Sequence, residues 1–277
     1  VILDGAAVLD TWAPSGAGHW SAPWSTSFDR AGAPYVTPEQ PQAGWPEQLF
    51  IDGNPLAEVV AIEEVRPGFF YHDRSSGRMV IGEDPTGRLV EASVLNWGIY
   101  LNRADGSSLS GLVVRRYATR TKDMAAVRAY ANDLTLDSVV VHDNARIGIS
   151  VMGDRVRLHD VSAIHNGHLG IHGHQSADLT ISQALVHENN RAGFDAFHSA
   201  GGVKITESTQ VTVESSNVTG NDGPGIWTDL AVTDAVVRSN LVVGNSRSGI
   251  EVELSERVVV IDNVVRRDAA AAVLPWR

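Results

Sequence analysis

Two carboxylates occupy the same point of two similar strings in this sequence. Gly225–Asp229 reads G-I-W-T-D and Gly249–Glu253 reads G-I-E-V-E, so Asp229 and Glu253 each lie four residues after a glycine and 24 residues apart. Asn221 and Asn245 each sit four residues before those glycines. A repeat of this length stacks the two acids on neighbouring strands, about 4.8 Å apart. Their carboxyls then lie roughly 5–6 Å apart, near the separation at which one carboxylate attacks an anomeric carbon while the other protonates the leaving oxygen. A water-activating pair needs a wider gap, about 6.5–9.5 Å. Two like charges this close cannot both ionise easily, so one of the pair is expected to remain an acid.

The elements that must hold such a pair are strands. Asn-x-x-x-Gly recurs at Asn144/Gly148, Asn166/Gly170, Asn189/Gly193, Asn221/Gly225 and Asn245/Gly249, with glycine steps of 22, 23, 32 and 24. The long step implies a loop inserted between Asp195 and Gly202. Gly98-Ile99-Tyr100 and Ala126-Val127-Arg128 read as degenerate earlier copies. Further apolar alternations lie between the glycines, such as Leu134-Thr135-Leu136 and Val211-Thr212-Val213, and no segment shows a 3.6-residue period. Strand repeats of this length mark a β-solenoid, in which stacking supplies the core that one repeat cannot bury alone. Asn suits the bends, since it tolerates left-handed backbone and its amide can bond the next coil's Asn. The expected fold is all-β, a right-handed parallel β-helix over residues 95–277. Residues 1–46 hold Trp12, Trp20, Trp24, Trp45 and six prolines, and read as an ordered loop region pinned by aromatics. Residues 47–94 alternate short strands with turn signals and read as a small antiparallel β-insertion.

Strand alternation sorts the residues after each glycine. Inward positions would be filled by Ile149, Ile171, Phe194, Ile226 and Ile250 in one column. The outward columns are Ser150, His172, Asp195, Trp227, Glu251 and Met152, His174, Phe197, Asp229, Glu253. A merely solvated face could carry charges, but acids stacked in register repel one another, which favours a functional face. Trp227, Glu251, His172, His174 and Asp195 are therefore candidate substrate-binding residues, and so are His198 and Lys204 on the inserted loop, which should protrude beside Asp229. Glu251 and Lys204 read equally well as ordinary surface residues. His172 and His174 are only two ligands, so no metal site and no cofactor is expected. His142, His159, His165 and His187 fall near turns and read as structural or solvated.

A formal net charge of −11, with no basic stripe in the sequence, argues against nucleic acid as a partner. The sequence has no cysteine, hence no disulfide or thiolate metal site. No apolar run approaches the roughly 18 residues that span a bilayer. The sequence opens directly on V-I-L-D, as a mature or trimmed chain does, which leaves secretion open. The expected partner is an oligosaccharide or polysaccharide; exposed end coils leave homo-oligomerisation open.

With these residues in hand the sequence resembles a known group. E-Q-L-F-I-D-G at Glu47–Gly53, D-P-T-G-R-L-V-E at Asp84–Glu91, G-G-V-K at Gly201–Lys204, and the W-T-D and E-V-E strings are similar to parallel-β-helix glycoside hydrolases. The resemblance is to the β-xylosidases of glycoside hydrolase family 120 and their relatives in family 141, over nearly the whole chain. It implies a retaining glycoside hydrolase with Asp229 as nucleophile and Glu253 as acid/base. Gly193–His198, G-F-D-A-F-H, is faintly similar to the G-F-D-P-H-E stretch of alginate C5-epimerases, with Ala for Pro and the His displaced by one. A uronan epimerase or lyase on the same fold is thus the alternative, with Lys204, Arg146 or Arg191 supplying charge. A non-catalytic carbohydrate-binding β-helix is a third reading.

Overall fold

A computed structural model describes residues 1–120, 125–269 and 273–275. Three parallel sheets run the length of the chain from Ile99 onward. The sheet that carries the candidate acids stacks Ile99–Asn102, Ala125–Tyr130, Ile147–Val151, Leu169–His174, Gly201–Thr206, Ile226–Asp229, Ile250–Val252 and Val273–Pro275. We term it the site sheet. The second sheet stacks seven three-residue strands, from Ser108–Ser110 to Val259–Ile261, and the third stacks eight, from Ile2–Asp4 to Val264–Arg266. Successive strands in each sheet come from successive coils, which is the expected parallel β-helix.

The short strands show why one coil cannot stand alone. Only the central residue of Thr135–Asp137, Arg157–His159 or Thr180–Ser182 points inward, and Leu136, Leu158 and Ile181 are fully buried. Stacked, these single side chains join Val141, Ile149, Ile171, Val203, Ile226 and Ile250 in one continuous core. At the bend before the site sheet the asparagines form a ladder. The side-chain amide of Asn144 donates to Asn166 Oδ1 at 2.9 Å, Asn166 to Asn189 at 3.0 Å, Asn189 to Asn221 at 2.9 Å and Asn221 to Asn245 at 2.9 Å. All five are buried, so each rung satisfies polar atoms that water cannot reach.

The amino-terminal region differs from a loop region followed by a separate insertion. Ile2–Asp4 is itself a solenoid strand, parallel to Val113–Arg115. Ala6–Val8 pairs with Val90–Ser93, and His19–Pro23 pairs with Arg78–Ile81, both antiparallel. Residues 6–93 therefore build two small sheets together, around Trp24, Phe28, Leu49, Ile51, Phe70, Met79 and Ile81. The prolines are accommodated because Pro14 lies in an edge strand and Pro23 ends one. Trp12, Trp20 and Trp24 pack in this core as anchors.

Candidate active site

The site sheet corrects the expected register at one coil. Val203, not Phe194, stacks between Ile171 and Ile226. The inserted residues precede the strand Gly201–Thr206, so the long step falls between Gly170 and Gly202. Either register puts a glycine, Gly193 or Gly202, into a closely packed column, so the choice rests on where Phe194 packs. A Cβ at Gly148 would meet Gly170 O at 2.8 Å, one at Gly170 would meet Gly202 O at 3.0 Å, and one at Gly225 would meet Gly249 O at 2.6 Å. From Gly148 to Gly225 the column has no room for a Cβ, although Ala126 occupies it one coil earlier, and Gly202 fills it in this coil. Phe194 packs instead with Ala31, Ala43 and Ala200, and its ring lies 4.4 Å from that of His168. Asn190 clamps the excursion by accepting from Phe194 N at 2.8 Å and donating to Phe194 O at 2.9 Å.

The outward columns change accordingly. Lys204 replaces Asp195 between His172 and Trp227, and Thr206 replaces Phe197 between His174 and Asp229. Asp195 leaves the face and holds the loop: its Oδ1 accepts from Phe197 N at 2.9 Å and its carbonyl from Ser199 N at 3.0 Å. The His198 ring packs edge-on against Tyr35, 4.9 Å between centroids, and only its carbonyl reaches the sheet.

That carbonyl is one of three partners of Lys204. The ammonium donates to His198 O at 2.9 Å, pairs with Asp229 Oδ2 at 3.0 Å and lies 3.3 Å from the Trp227 ring centroid. Lys204 and Asp229 are both buried, with side chains 6% and 8% exposed. Asp229 Oδ1 accepts from Leu230 N at 2.7 Å. One coil on, Trp227 Nε1 donates to Glu253 Oε2 at 3.2 Å. Burial raises the pKa of Glu253, and the negative charges of Asp229 and Glu251 push the same way. Burial is also the main influence on Lys204 and lowers its pKa, against the opposing pull of Asp229. Glu251 is buried 3.8 Å from Arg247, whose guanidinium donates to Ala196 O at 2.6 Å and covers the Phe197 ring. Lys204 on the sheet and Arg247 in the turn before the next strand thus tie down two carbonyls of the inserted loop.

His172 and His174 stack 5.9 Å apart, and His174 Nδ1 lies 2.9 Å from Thr206 Oγ1. Burial, then the charges of His174 and Lys204, holds His172 at a pKa of about 3, a neutral imidazole. Its buried Nδ1 has no partner among the described residues. Asp229, Glu253, Trp227, Glu251, Lys204, His172 and His174 are thus gathered on one face, while Asp195 and the His198 ring are not. Thr206 and Arg247 were missed. Counting 23 residues back from Gly225 to Gly202 would have found Thr206; Arg247 sits in a turn with no repeat signal. Further along the face Arg128 is covered by Tyr100, at 4.0 Å, and by Trp97, at 5.0 Å. A cavity of about 380 Å³ lies elsewhere, between the amino-terminal sheets and the solenoid turns, and is lined by Trp45, Glu47, Glu58, Asp143, His165 and Arg191.

The right-handed beta helix region family matches residues 125–276, more than half of the chain, and the chain belongs to that family. The expected handedness is therefore that of the family. No curated protein sequence matches. Among solved structures, XylC in complex with xylose superposes with a TM-score of 0.71 at 12% identity over 95% of this chain. The chain spans 58% of the length of XylC. A glycoside hydrolase (TM-score 0.36, 10% identity, 96% of this chain and 82% of that one) is much less similar. So is tailspike protein 2 of Escherichia coli O157:H7 bacteriophage CAB120 (TM-score 0.40, 12% identity, 54% and 21%). At these identities the likeness to XylC establishes the fold, and the two lower scores support no argument.

Proposed function

We propose that the chain is a glycoside hydrolase acting on an oligosaccharide or polysaccharide by a retaining, two-carboxylate mechanism, with β-xylosides the first substrates to test. The observation that carries this reading is the unequal setting of the two acids. Lys204 holds its ammonium 3.0 Å from Asp229, while Glu253 on the next coil has a raised pKa. Environments that differ in this way assign roles to paired carboxyls. Asp229 attacks the anomeric carbon as Glu253 gives its proton to the departing oxygen, leaving a glycosyl ester on Asp229. Glu253 then takes a proton from water, the water oxygen bonds to the anomeric carbon, and Asp229 leaves as a carboxylate paired again with Lys204. Trp227, Glu251, His172 and His174 line the same face and would contact the sugar. The overall likeness to XylC, whose structure holds xylose, supports a pentoside as the starting point.

Aryl β-xylosides, fucosides and galactosides test the proposal, with proton NMR of the first-formed sugar. Retained configuration is expected, and an inverted first product would refute the retaining assignment. Lys204 is also the observation that favours a uronan lyase or epimerase, which needs a cation beside the substrate carboxylate. Its ammonium is already engaged by Asp229 and His198 O, which weighs against that role. Ultraviolet absorbance from an unsaturated uronate product would reverse the ranking. Binding without turnover of any glycoside would instead identify a carbohydrate-binding module.

A further inference from the structure

At the bend that leads from the third sheet into the site sheet, Asp143, His165 and Glu188 occupy the same turn position on successive coils. His187 ends the strand Leu185–His187 immediately before Glu188. His165 Nε2 lies 3.2 Å from Glu188 Oε2, and His187 Nε2 lies 3.2 Å from Glu188 Oε1. One ligand atom from each of the three residues lies within 4.8 Å of the others. A tetrahedral ion with bonds of about 2.0–2.1 Å to nitrogen and oxygen separates its ligand atoms by about 3.3 Å. The far nitrogen of His187 is bonded, and that of His165 faces a carboxylate. His187 Nδ1 lies 3.1 Å from Thr219 O and 2.9 Å from Thr219 Oγ1. His165 Nδ1 lies 3.8 Å from Asp143 Oδ1, and Asp143 Oδ2 is in turn 2.7 Å from His142 Nδ1. A proton on His187 Nδ1 serves the Thr219 carbonyl, which can only accept, and leaves the Nε2 lone pair facing a carboxylate oxygen. Two acceptors face to face repel, and a cation between them removes the repulsion. Outer partners that fix the ring orientation are what metal-binding histidines need.

We propose that His165, His187 and Glu188 bind a divalent transition-metal ion, with Asp143 and Thr219 as positioning residues behind the two rings. Two imidazoles and one carboxylate suit zinc, or cobalt and nickel in its place, and do not suit the all-oxygen shells of calcium and magnesium. The half-buried histidines and the exposed Glu188 leave the ion a path from solvent and a fourth position for water. The ion would staple two coils at the point where Asn189 and Asn190 begin the loop that overlies Lys204. The inference does not depend on the glycosidase reading.

The test uses the full chain without a polyhistidine tag, stripped with a chelator and titrated with zinc chloride by calorimetry. One equivalent is expected to bind, and excess zinc should raise the melting temperature. Losing a ligand should weaken binding by more than the roughly 10–100-fold that loss of an outer partner causes. His165→Ala, His187→Ala and the near-isosteric Glu188→Gln should each show that loss while melting like the wild type in chelator. His172→Ala/His174→Ala, which removes the stacked pair on the site sheet, should bind zinc with wild-type affinity. Absence of saturable binding by the wild type overturns the proposal. So does undiminished affinity in the His165 and His187 variants, or loss of the site in the His172/His174 variant.

Discussion

Replacing Lys204 by Met tests the organisation of the face most directly. The substitution keeps most of the stem that packs on Trp227 but removes the ammonium that pairs with Asp229 Oδ2 at 3.0 Å and donates to His198 O. Both members of the pair have side chains less than a tenth exposed, so solvent cannot screen the charge left behind. Breaking such a pair by deleting one partner costs about 3–5 kcal/mol, mostly because the other charge stays buried alone. In a chain of this size each kcal/mol moves the melting temperature by about 2–4 °C, so Lys204→Met should melt on the order of 6–20 °C below the wild type. The cause is checked by the double variant Lys204→Met/Asp229→Asn, in which the stranded charge is gone. Residues in direct contact couple by about 0.5–3 kcal/mol, so the double variant should melt above Lys204→Met rather than below it. Differential scanning calorimetry of the wild type, Lys204→Met, Asp229→Asn and the double variant reads the cycle. Additive losses, or a Lys204→Met protein that melts with the wild type, would show that the ion pair does not organise this face.

The other expectations concern catalysis and the ladder. Asp229→Ala should abolish turnover of every glycoside that the wild type cleaves. Glu253→Ala should harm substrates with poor leaving groups far more than activated aryl glycosides, because protonation matters less when the leaving group departs easily; equal loss on both would remove Glu253 from the acid role. Glu253 must be protonated to act, so kcat/KM should fall as pH rises through its raised pKa. The Trp227 N–H stabilises the ionised form, so Trp227→Phe should move that alkaline limb to still higher pH, and a shift to lower pH would contradict the assignment. Asn189→Ala removes the amide that donates to Ala163 O and Asn221 Oδ1 and leaves buried partners unmet, at about 1–3 kcal/mol each, which urea denaturation would register.

What could be read from the sequence is what repeats locally. The Asn ladder, the inward isoleucines and the common position of Asp229 and Glu253 are periodic, and a period survives without knowledge of distant contacts. The opening V-I-L-D reads as strand-like, but its place in the solenoid was hidden because its partner, Val113–Arg115, lies more than a hundred residues away. The coil between Gly170 and Gly225 was misregistered for a subtler reason. Asn189 precedes both Gly193 and Gly202, and four residues to the first matches the repeat, whereas thirteen to the second does not. The physical choice rests on a feature invisible in spacing: a pocket for Phe194 made by Ala31 and Ala43 from the far end of the chain, closed by the Asn190 clamp. That one shift replaces an acid by a lysine in the centre of the face. With Asp195 in register Asp229 would have faced another acid; with Lys204 there the stack carries a buried cation between His172 and Trp227, and Asp229 gains its partner. The loop whose register was misread therefore delivers the residue on which the electrostatics of both acids depend, since Lys204 pairs with Asp229 and also opposes the rise in the pKa of Glu253.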